Sequence, residues 1–223
     1  MDNYFLIKFG AFEHMKLLLD TGEIYMDVLS SYRKNEYNEQ RHDPHDGIER
    51  MMQLKGAQLS TKNKETGISE VVGTFNDGLG IITNNNIDNL NVFCIYHLPI
   101  NVSEEVTLGD SIDNQVLTGF GNTAVFINDS ETFLSRIKDS AIMHGYKFIP
   151  SLVKYVDIKE RHDEVGPFIK DLEFSHQQEL RIGVFNSDSG SMPIKLMIGN
   201  ISDIATLVST EDLSKWTSKP FYK

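Results

Sequence analysis

Short runs of β-favouring residues recur along this chain, and turn-forming residues separate them more often than helices do. Candidate strands lie at residues 80–83, 91–98 and 123–127, with turn signals at 76–78 and 84–86. A doubly wound parallel sheet needs helices that alternate regularly with strands, so this order argues against that fold. The sequence therefore predicts the α+β class, with two small twisted β-sheets and peripheral helices in a single domain over residues 1–223.

The N-terminal segment predicts a strand, a short helix and a second strand. Residues 4–10 form an apolar run, and Met15 and Leu18 then follow helical spacing. Gly22 is a helix stop, and residues 23–29 have the composition of a strand or an extended arm.

A polar cluster at residues 175–179 leads directly into an alternating strand pattern over residues 180–185. Glu179 and Arg181 then share one face of the strand, and the apolar residues share the other. A strand would also place Gln177 on the face of Glu179, about 7 Å away along the chain. Two interpretations stay open: an exposed Glu–Arg pair, or a carboxylate and an amide that handle one polar substrate at the rim of a sheet.

Charge and cysteine content restrict the function classes. The chain carries 21 basic and 32 acidic residues, a net charge of −11, which disfavours broad electrostatic binding to nucleic acid. Cys94 is the only cysteine and lies in an apolar run, so it is expected in the core of a protein from a reducing, cytoplasmic compartment. No segment has the pattern of a signal peptide or a membrane span, so no membrane partner is expected.

Two weak motifs are expected to be structural. The glycines at 119 and 121 precede a strand instead of opening a helix, so they predict a turn and not a dinucleotide fingerprint. A small basic cluster is expected to be a solvated surface and not a nucleic-acid track. It consists of Lys55, Lys62 and Lys64.

The long polar segment at residues 30–49 has no hydrophobic period and is expected to be a substrate-facing loop. It contains four potential metal ligands, which suit either a metal-dependent hydrolase or a solvated turn. They are His42, Asp43, His45 and Asp46.

The opening strand and helix, the exit over residues 21–25 and the Gln177-x-Glu179 element resemble ADP-ribosyltransferases. More of the chain resembles a group of bacterial and phage-defence proteins, some of which act as ADP-ribosyltransferase toxins. Their landmarks match Lys8-Phe9, the Tyr-Arg and Asp-Pro pairs of the polar loop, and the His-Gln-x-Glu-x-Arg strand that ends at Arg181. The family's Ser-Thr-Ser motif has only a partial match, at residues 59–61.

The resemblance implies a toxin of a bacterial anti-phage defence or toxin–antitoxin system that uses NAD as a substrate. It would transfer ADP-ribose to RNA, DNA or protein, and an antitoxin or chaperone would neutralise it. Glu179 would stabilise the ribose cation and Gln177 would place the acceptor. Arg181 would either orient Glu179 or contact substrate.

The same resemblance suggests the groups that hold NAD. Tyr32 or Phe9 would stack on nicotinamide. Arg33 or Lys8 would bind the diphosphate, and Arg41 is a weaker choice for the same role. The alternatives are a non-catalytic binding or regulatory module of the same fold and the metal-dependent hydrolase.

Overall fold

The computed structural model describes residues 4–34, 42–99, 106–158, 161–185 and 192–218. The α+β class is confirmed. The strands, numbered in chain order, are β1 Tyr4–Gly10, β2 Glu23–Val28, β3 Arg50–Gln53, β4 Gln58–Lys62, β5 Ser69–Thr74, β6 Leu79–Ile82, β7 Asn91–Pro99, β8 Val106–Thr107, β9 Thr123–Ile127, β10 Lys147–Leu152, β11 Lys154–Val156, β12 Ile169–Asp171, β13 Glu179–Phe185, β14 Ile194–Met197, β15 Ala205–Ser209 and β16 Thr217–Ser218.

Short helices connect these strands, and only two of them have ten residues or more. They are α1 Phe12–Thr21, α2 Leu29–Lys34, α3 Asn85–Asp88, α4 Leu108–Ser111, α5 Asn114–Gly119, α6 Ser130–Met143, α7 Thr210–Ser214 and one 3-10 helix, Leu172–Gln177. Because α2 lies inside the polar segment, the prediction of a loop there is wrong for residues 30–34, while residues 35–41 lie outside the described part.

The number of sheets differs from the two that the sequence predicts. One sheet of eight antiparallel strands has the order β10-β13-β7-β1-β9-β15, and β2 joins it through β7 and carries β14. The other described strands form four pairs: β11–β12, β8–β16, β3–β6 and β4–β5. Strand pairing depends on partners far apart in sequence, so the sequence pattern alone does not determine the number of sheets.

The two ends of β7 pair with different strands on the same side. β1 pairs with its C-terminal half, from Ile7↔Tyr96 onward, whereas β2 pairs only with Val92 and Asn91. Beyond Ile7, β1 pairs with β9 alone among the described strands, and residues 23–26 of β2 pair with β14. The middle of β7 therefore faces a gap between two diverging strands.

Helices cover both faces of the eight-stranded sheet. On one face α1 and α6 bury Leu18 and Phe133 against Leu6 and the apolar residues of β13. On the other face α4, α5 and α7 pack around Ile7 and its neighbours. Because successive strand residues point to opposite faces, β13 directs Glu179 away from the larger of these two clusters.

Most of the predicted elements are confirmed, and one segment differs in type. The strand at residues 4–10, the helix that stops at Gly22 and the strand at residues 123–127 are found as expected. The local pattern of residues 202–208 predicts a short helix or turn, but residues 205–209 form β15 and pair with β9.

Candidate functional site

The candidate site begins where the 3-10 helix meets β13. Gln177 ends the helix, and Gln178 has the left-handed backbone conformation, with a φ of 36°. The spacing predicts that Gln177 and Glu179 share one face of a strand. That prediction is wrong, because Gln177 belongs to the helix and only Glu179 to the strand. They are brought together by the turn at Gln178, whose conformation is uncommon for a residue other than glycine.

Glu179 and Arg181 do share a face of β13, and they are buried instead of exposed. Arg181 is 0% and Glu179 6% exposed. The Arg181 Nε donates to Glu179 Oε1 at 2.6 Å, and its two terminal nitrogens donate to the Asp46 carboxylate at 2.8 and 3.0 Å. The interpretation as a surface pair is therefore wrong, and the guanidinium fixes the Glu179 carboxylate from behind.

Lys170, which belongs to no sequence motif, lies between the two residues of the Gln-x-Glu element. Its ammonium donates to Gln177 Oε1 at 2.8 Å and lies 3.4 Å from Glu179 Oε2 and 3.7 Å from the nearer Asp46 oxygen. Lys170 is 3% exposed. It therefore holds the amide and the carboxylate close together.

This environment keeps Glu179 ionised. Burial alone would raise the pKa of Glu179, but the guanidinium of Arg181 and the ammonium of Lys170 outweigh burial and hold the pKa well below its usual range. The same attraction raises the pKa of Lys170 even though burial opposes its charge. A carboxylate next to two cations is therefore the resting state of the site.

A third acid, Asp43, is buried beside this cluster, and no salt bridge joins it to a cation among the described residues. One of its oxygens accepts from the backbone N–H of His45 at 2.9 Å. The other oxygen, Oδ2, is buried and has no hydrogen-bond partner among the described residues. Burial, reinforced by the nearby charge of Asp46, raises the pKa of Asp43 to about 6.

Replacing Asp43 by asparagine is expected to change how stability depends on pH. The folded protein holds the Asp43 proton more tightly than the unfolded chain does, so ionisation of Asp43 lowers the free energy of unfolding as pH rises from about 4 to about 6. The loss at neutral pH is at most about 3 kcal/mol. The unfolding free energy of Asp43→Asn minus that of wild type should therefore increase over this range, measured by urea unfolding at several pH values. A difference that stays constant from pH 4 to pH 7 would contradict the assignment.

A small cavity lies beside Glu179, on the sheet face that carries Phe9 and Tyr96. Its volume is about 90 Å³. Five of the seven candidate residues line it. They are Lys8, Phe9, Tyr32, Gln177 and Glu179.

A second, larger cavity of about 1000 Å³ lies at the gap between β1 and β2. Lys8, Phe9, Tyr32 and Phe120 line both cavities, so the two are neighbours. The Lys8 ammonium donates to the Cys94 carbonyl at 2.6 Å, in the middle of β7, and lies 4.5 Å from the centre of the Phe93 ring. A ligand that extends from the large cavity into the small cavity would thus pass Lys8 and the aromatic side chains that line both.

The other two candidate residues do not line either cavity. Arg181 lies behind Glu179 and acts through it. Arg33 donates to the Asp88 carboxylate at 2.5 Å and to the Asp46 carbonyl at 2.7 Å. Arg33 is thus committed to holding the segment that carries Asp46. Arg41 lies outside the described residues.

Cys94 and Tyr155 are further residues of this site that sequence patterns did not reveal. Cys94 packs against a buried apolar cluster, as expected for a core residue, and it also lines the small cavity. Burial raises the pKa of its thiol to about 12. The Tyr155 hydroxyl oxygen accepts from the backbone N–H of Glu179 at 2.9 Å. Tyr155 pairs in register with Lys170 across β11 and β12. Neither Cys94 nor Tyr155 belongs to a motif, because each comes from a segment outside the Gln-x-Glu element.

The four potential metal ligands of the polar segment do not converge on one point, and at least three of them have hydrogen-bond partners in the protein. Asp46 binds Arg181, Asp43 accepts from the His45 backbone, and His42 contacts the Arg33 carbonyl at 3.1 Å. Among the described residues no group of three or more histidine, cysteine or acidic side chains has the geometry to hold a metal ion. Residues 44–47 form a turn, but Asp46 within it and Asp43 just before it are buried, so it is not a solvated turn.

Within the described part of the chain, no helix combines the length and the apolar character needed to cross a membrane. Comparisons with protein-family models, with curated proteins and with solved structures find no match.

Proposed function

We propose that this protein is an NAD-dependent ADP-ribosyltransferase that uses Glu179 as its essential carboxylate. The observation that carries the proposal is the placement of one ionised, buried glutamate at a small cavity with aromatic and cationic walls. A carboxylate exposed on a convex surface would have no such surroundings. The likeness of the Gln-x-Glu element to ADP-ribosyltransferases supports the same activity.

The chemistry requires one negative charge at the ribose. When the bond between nicotinamide and ribose breaks, the bonding electrons leave with nicotinamide, and positive charge develops on the ribose carbon and ring oxygen, as in glycoside cleavage. A fixed carboxylate that faces this charge lowers the barrier. Arg181 and Tyr155 hold the side chain and the backbone of Glu179, so little reorganisation is needed during the reaction.

The volumes of the two cavities suit the two ends of a dinucleotide. The small cavity holds only a compact group such as the nicotinamide ring. The large cavity, at about 1000 Å³, reaches the upper end of the roughly 300–1,000 Å³ typical of ligand pockets. In this proposal Phe9 or Tyr32 stacks on the nicotinamide, and Lys8, at the boundary of both cavities, binds the diphosphate between them.

Gln177 would position the nucleophile of the acceptor, since it lines the small cavity next to Glu179. After attack on the ribose carbon, the nucleophile keeps the ADP-ribose and loses a proton to solvent or to a nearby base. The acceptor is proposed to be a macromolecule, either nucleic acid or protein. Uncontrolled modification of such a target would be toxic, so a bacterial defence or toxin–antitoxin role and a neutralising partner belong to the same proposal.

A second candidate function, a binding module of the same fold without turnover, is favoured by one specific observation. Both oxygens of Glu179 face cations: Oε1 binds Arg181, and Oε2 lies 3.4 Å from Lys170. A fully neutralised carboxylate would stabilise a ribose cation less. The 3.4 Å separation is longer than the ~2.7–2.9 Å of a strong charge-assisted bond, so Oε2 keeps capacity for a substrate hydroxyl.

The test is incubation of the purified protein with NAD labelled in the adenylate half, together with cell lysate. The proposal predicts that label enters macromolecules, and digestion with nuclease or protease then shows which class is the acceptor. NAD labelled only in nicotinamide should leave the macromolecules unlabelled. If label from the adenylate half stays in small molecules with every lysate fraction, while NAD still binds to the protein, the binding module is favoured over the enzyme.

A further inference from the structure

An exposed β-ribbon projects from the site-bearing domain. β3 pairs with β6 at its base, and β4 pairs with β5 farther out. The backbone bonds from Leu54 to Gly78 and from Phe75 to Ala57 join these two ladders into one continuous ribbon over residues 50–82. Every residue from position 58 to position 79 is exposed, so no other described part of the chain covers this outer half.

The ribbon carries an unusual share of the exposed large apolar side chains. Seventeen such side chains are exposed in the described chain, and eight of them lie in residues 50–82, a segment of 33 residues. They are Leu59, Ile68, Val71, Val72, Phe75, Leu79, Ile81 and Ile82. A concentrated apolar surface of this kind marks an interaction site, and two strands alone are marginally stable in water.

The charge of the ribbon distinguishes it from the rest of the chain. Residues 50–82 contain four basic residues and three acidic residues, a net charge of +1. Since the whole chain has a net charge of −11, the remainder has a net charge of −12. Two copies of the chain would repel each other through their acidic bodies, and the ribbon is where they meet with the least repulsion.

The basic cluster predicted from sequence belongs to this balanced surface. Lys55, Lys62 and Lys64 lie in the ribbon together with Glu65, Glu70 and Asp77, so the outer half presents no excess of positive charge. A nucleic-acid track needs such an excess. The ribbon therefore fits a protein surface better than a phosphate backbone.

The outer edge of β5 is suited to a second copy of itself. β5 pairs only with β4 among the described strands, so its other edge presents unpaired backbone N–H and C=O groups. Val71 and Val72 occupy the middle of β5. The register between β4 and β5 shifts at Val72, which has no partner in β4. An antiparallel two-fold pairing about Val71 puts valine against valine, and it keeps Glu70 from lying opposite Glu70 of the other copy.

We propose that two copies of the chain associate through β5 and form a four-stranded sheet with the order β4-β5-β5-β4 across a two-fold axis. This arrangement pairs the free edge, covers part of the apolar surface and keeps the acidic bodies apart. It leaves both cavities away from the contact, because the residues that line them do not include any residue of the ribbon. The inference does not depend on the proposed enzymatic activity.

Sedimentation equilibrium of the full-length protein tests the contact. The wild type should show a mass of twice 25.3 kDa, falling toward one chain only on dilution. The double variant Val71→Glu, Val72→Glu places like charges across the axis and should sediment as a single chain. Both valines are 56% exposed, so the fold of the single chain should be unchanged, which circular dichroism checks.

Two controls locate the contact. Met143→Glu changes a side chain that is 85% exposed on α6 and should leave the dimer intact. A double variant with lysine at Val71 and Val72 should be a single chain alone and should form a mixed dimer with the glutamate variant. A wild type that is a single chain at every concentration overturns the proposal, and so does a dimer that survives the glutamate substitutions.

Discussion

Replacing Arg181 by methionine is expected to lower the free energy of unfolding by about 3–5 kcal/mol, because the change leaves two carboxylates buried without their main counter-charge. Asp46 is 0% and Glu179 6% exposed, and both accept hydrogen bonds from the Arg181 guanidinium. Methionine fills much of the same space but offers neither charge nor donors. Denaturant unfolding measures the loss, and a variant that fails to fold agrees with it.

Arg136 provides a matched control for this substitution. It also makes two hydrogen bonds to one aspartate, Asp203, but on the surface, where the two side chains are 30% and 57% exposed. Solvent screens such a pair, so Arg136→Met should cost no more than about 1 kcal/mol. If both substitutions lowered the free energy of unfolding by similar amounts, burial would not be the reason that Arg181 stabilises the fold.

The Glu179→Gln variant is expected to transfer ADP-ribose at least ~100-fold more slowly than the wild type, since an electrostatic contact to the transition state is worth about that factor or more. Gln keeps the size of the side chain and can still accept from Arg181, but it removes the negative charge that faces the ribose. The effect is measured as the rate at which label from NAD enters macromolecules, expressed as a fraction of the wild-type rate.

Two further variants separate catalysis from folding. Glu173→Gln removes an exposed glutamate six residues away, in the 3-10 helix, and should transfer normally. The neighbours of Glu179 hold its pKa low, so its charge stabilises the fold at pH values above the usual pKa of a glutamate. At those pH values Glu179→Gln should therefore also lower the free energy of unfolding. Glu179→Asp retains the charge and shortens the side chain, so it should fold better than Glu179→Gln and still lose most of the transfer. Normal transfer by both Glu179 variants would exclude it as the essential carboxylate.

The parts of the fold that local patterns determine were predictable from the sequence. Helix α1 stops where Gly22 adopts the left-handed conformation, with a φ of 63°, and a Cβ there would lie 2.1 Å from the Gly199 carbonyl oxygen. In contrast, β15 was predicted as a helix or turn. Its strand conformation depends on pairing with β9, which lies about 80 residues earlier in the chain, and no local pattern reports such a partner.

The candidate site was only partly predictable, for a related reason. Gln177 and Glu179 are close in sequence, and their motif has a recognisable order. Lys170 and Asp46 reach the same carboxylate cluster from other segments, and neither belongs to a motif. The buried state of Arg181 was missed because a lone Glu-x-Arg pair on a strand is usually exposed. Sequence patterns therefore indicated Glu179 and Arg181 but not Lys170 and Asp46, which complete the cluster.

Release of nicotinamide from NAD by the purified protein, with no acceptor present, is the most direct test of the claim that Glu179 acts on the nicotinamide–ribose bond. Water can replace the missing acceptor, so failure to choose the right macromolecule does not affect the result. The wild type should release nicotinamide faster than NAD decays in buffer, and Glu179→Gln should not exceed that background. Intact NAD after prolonged incubation with folded wild-type protein, or equal release by both proteins, would contradict the claim.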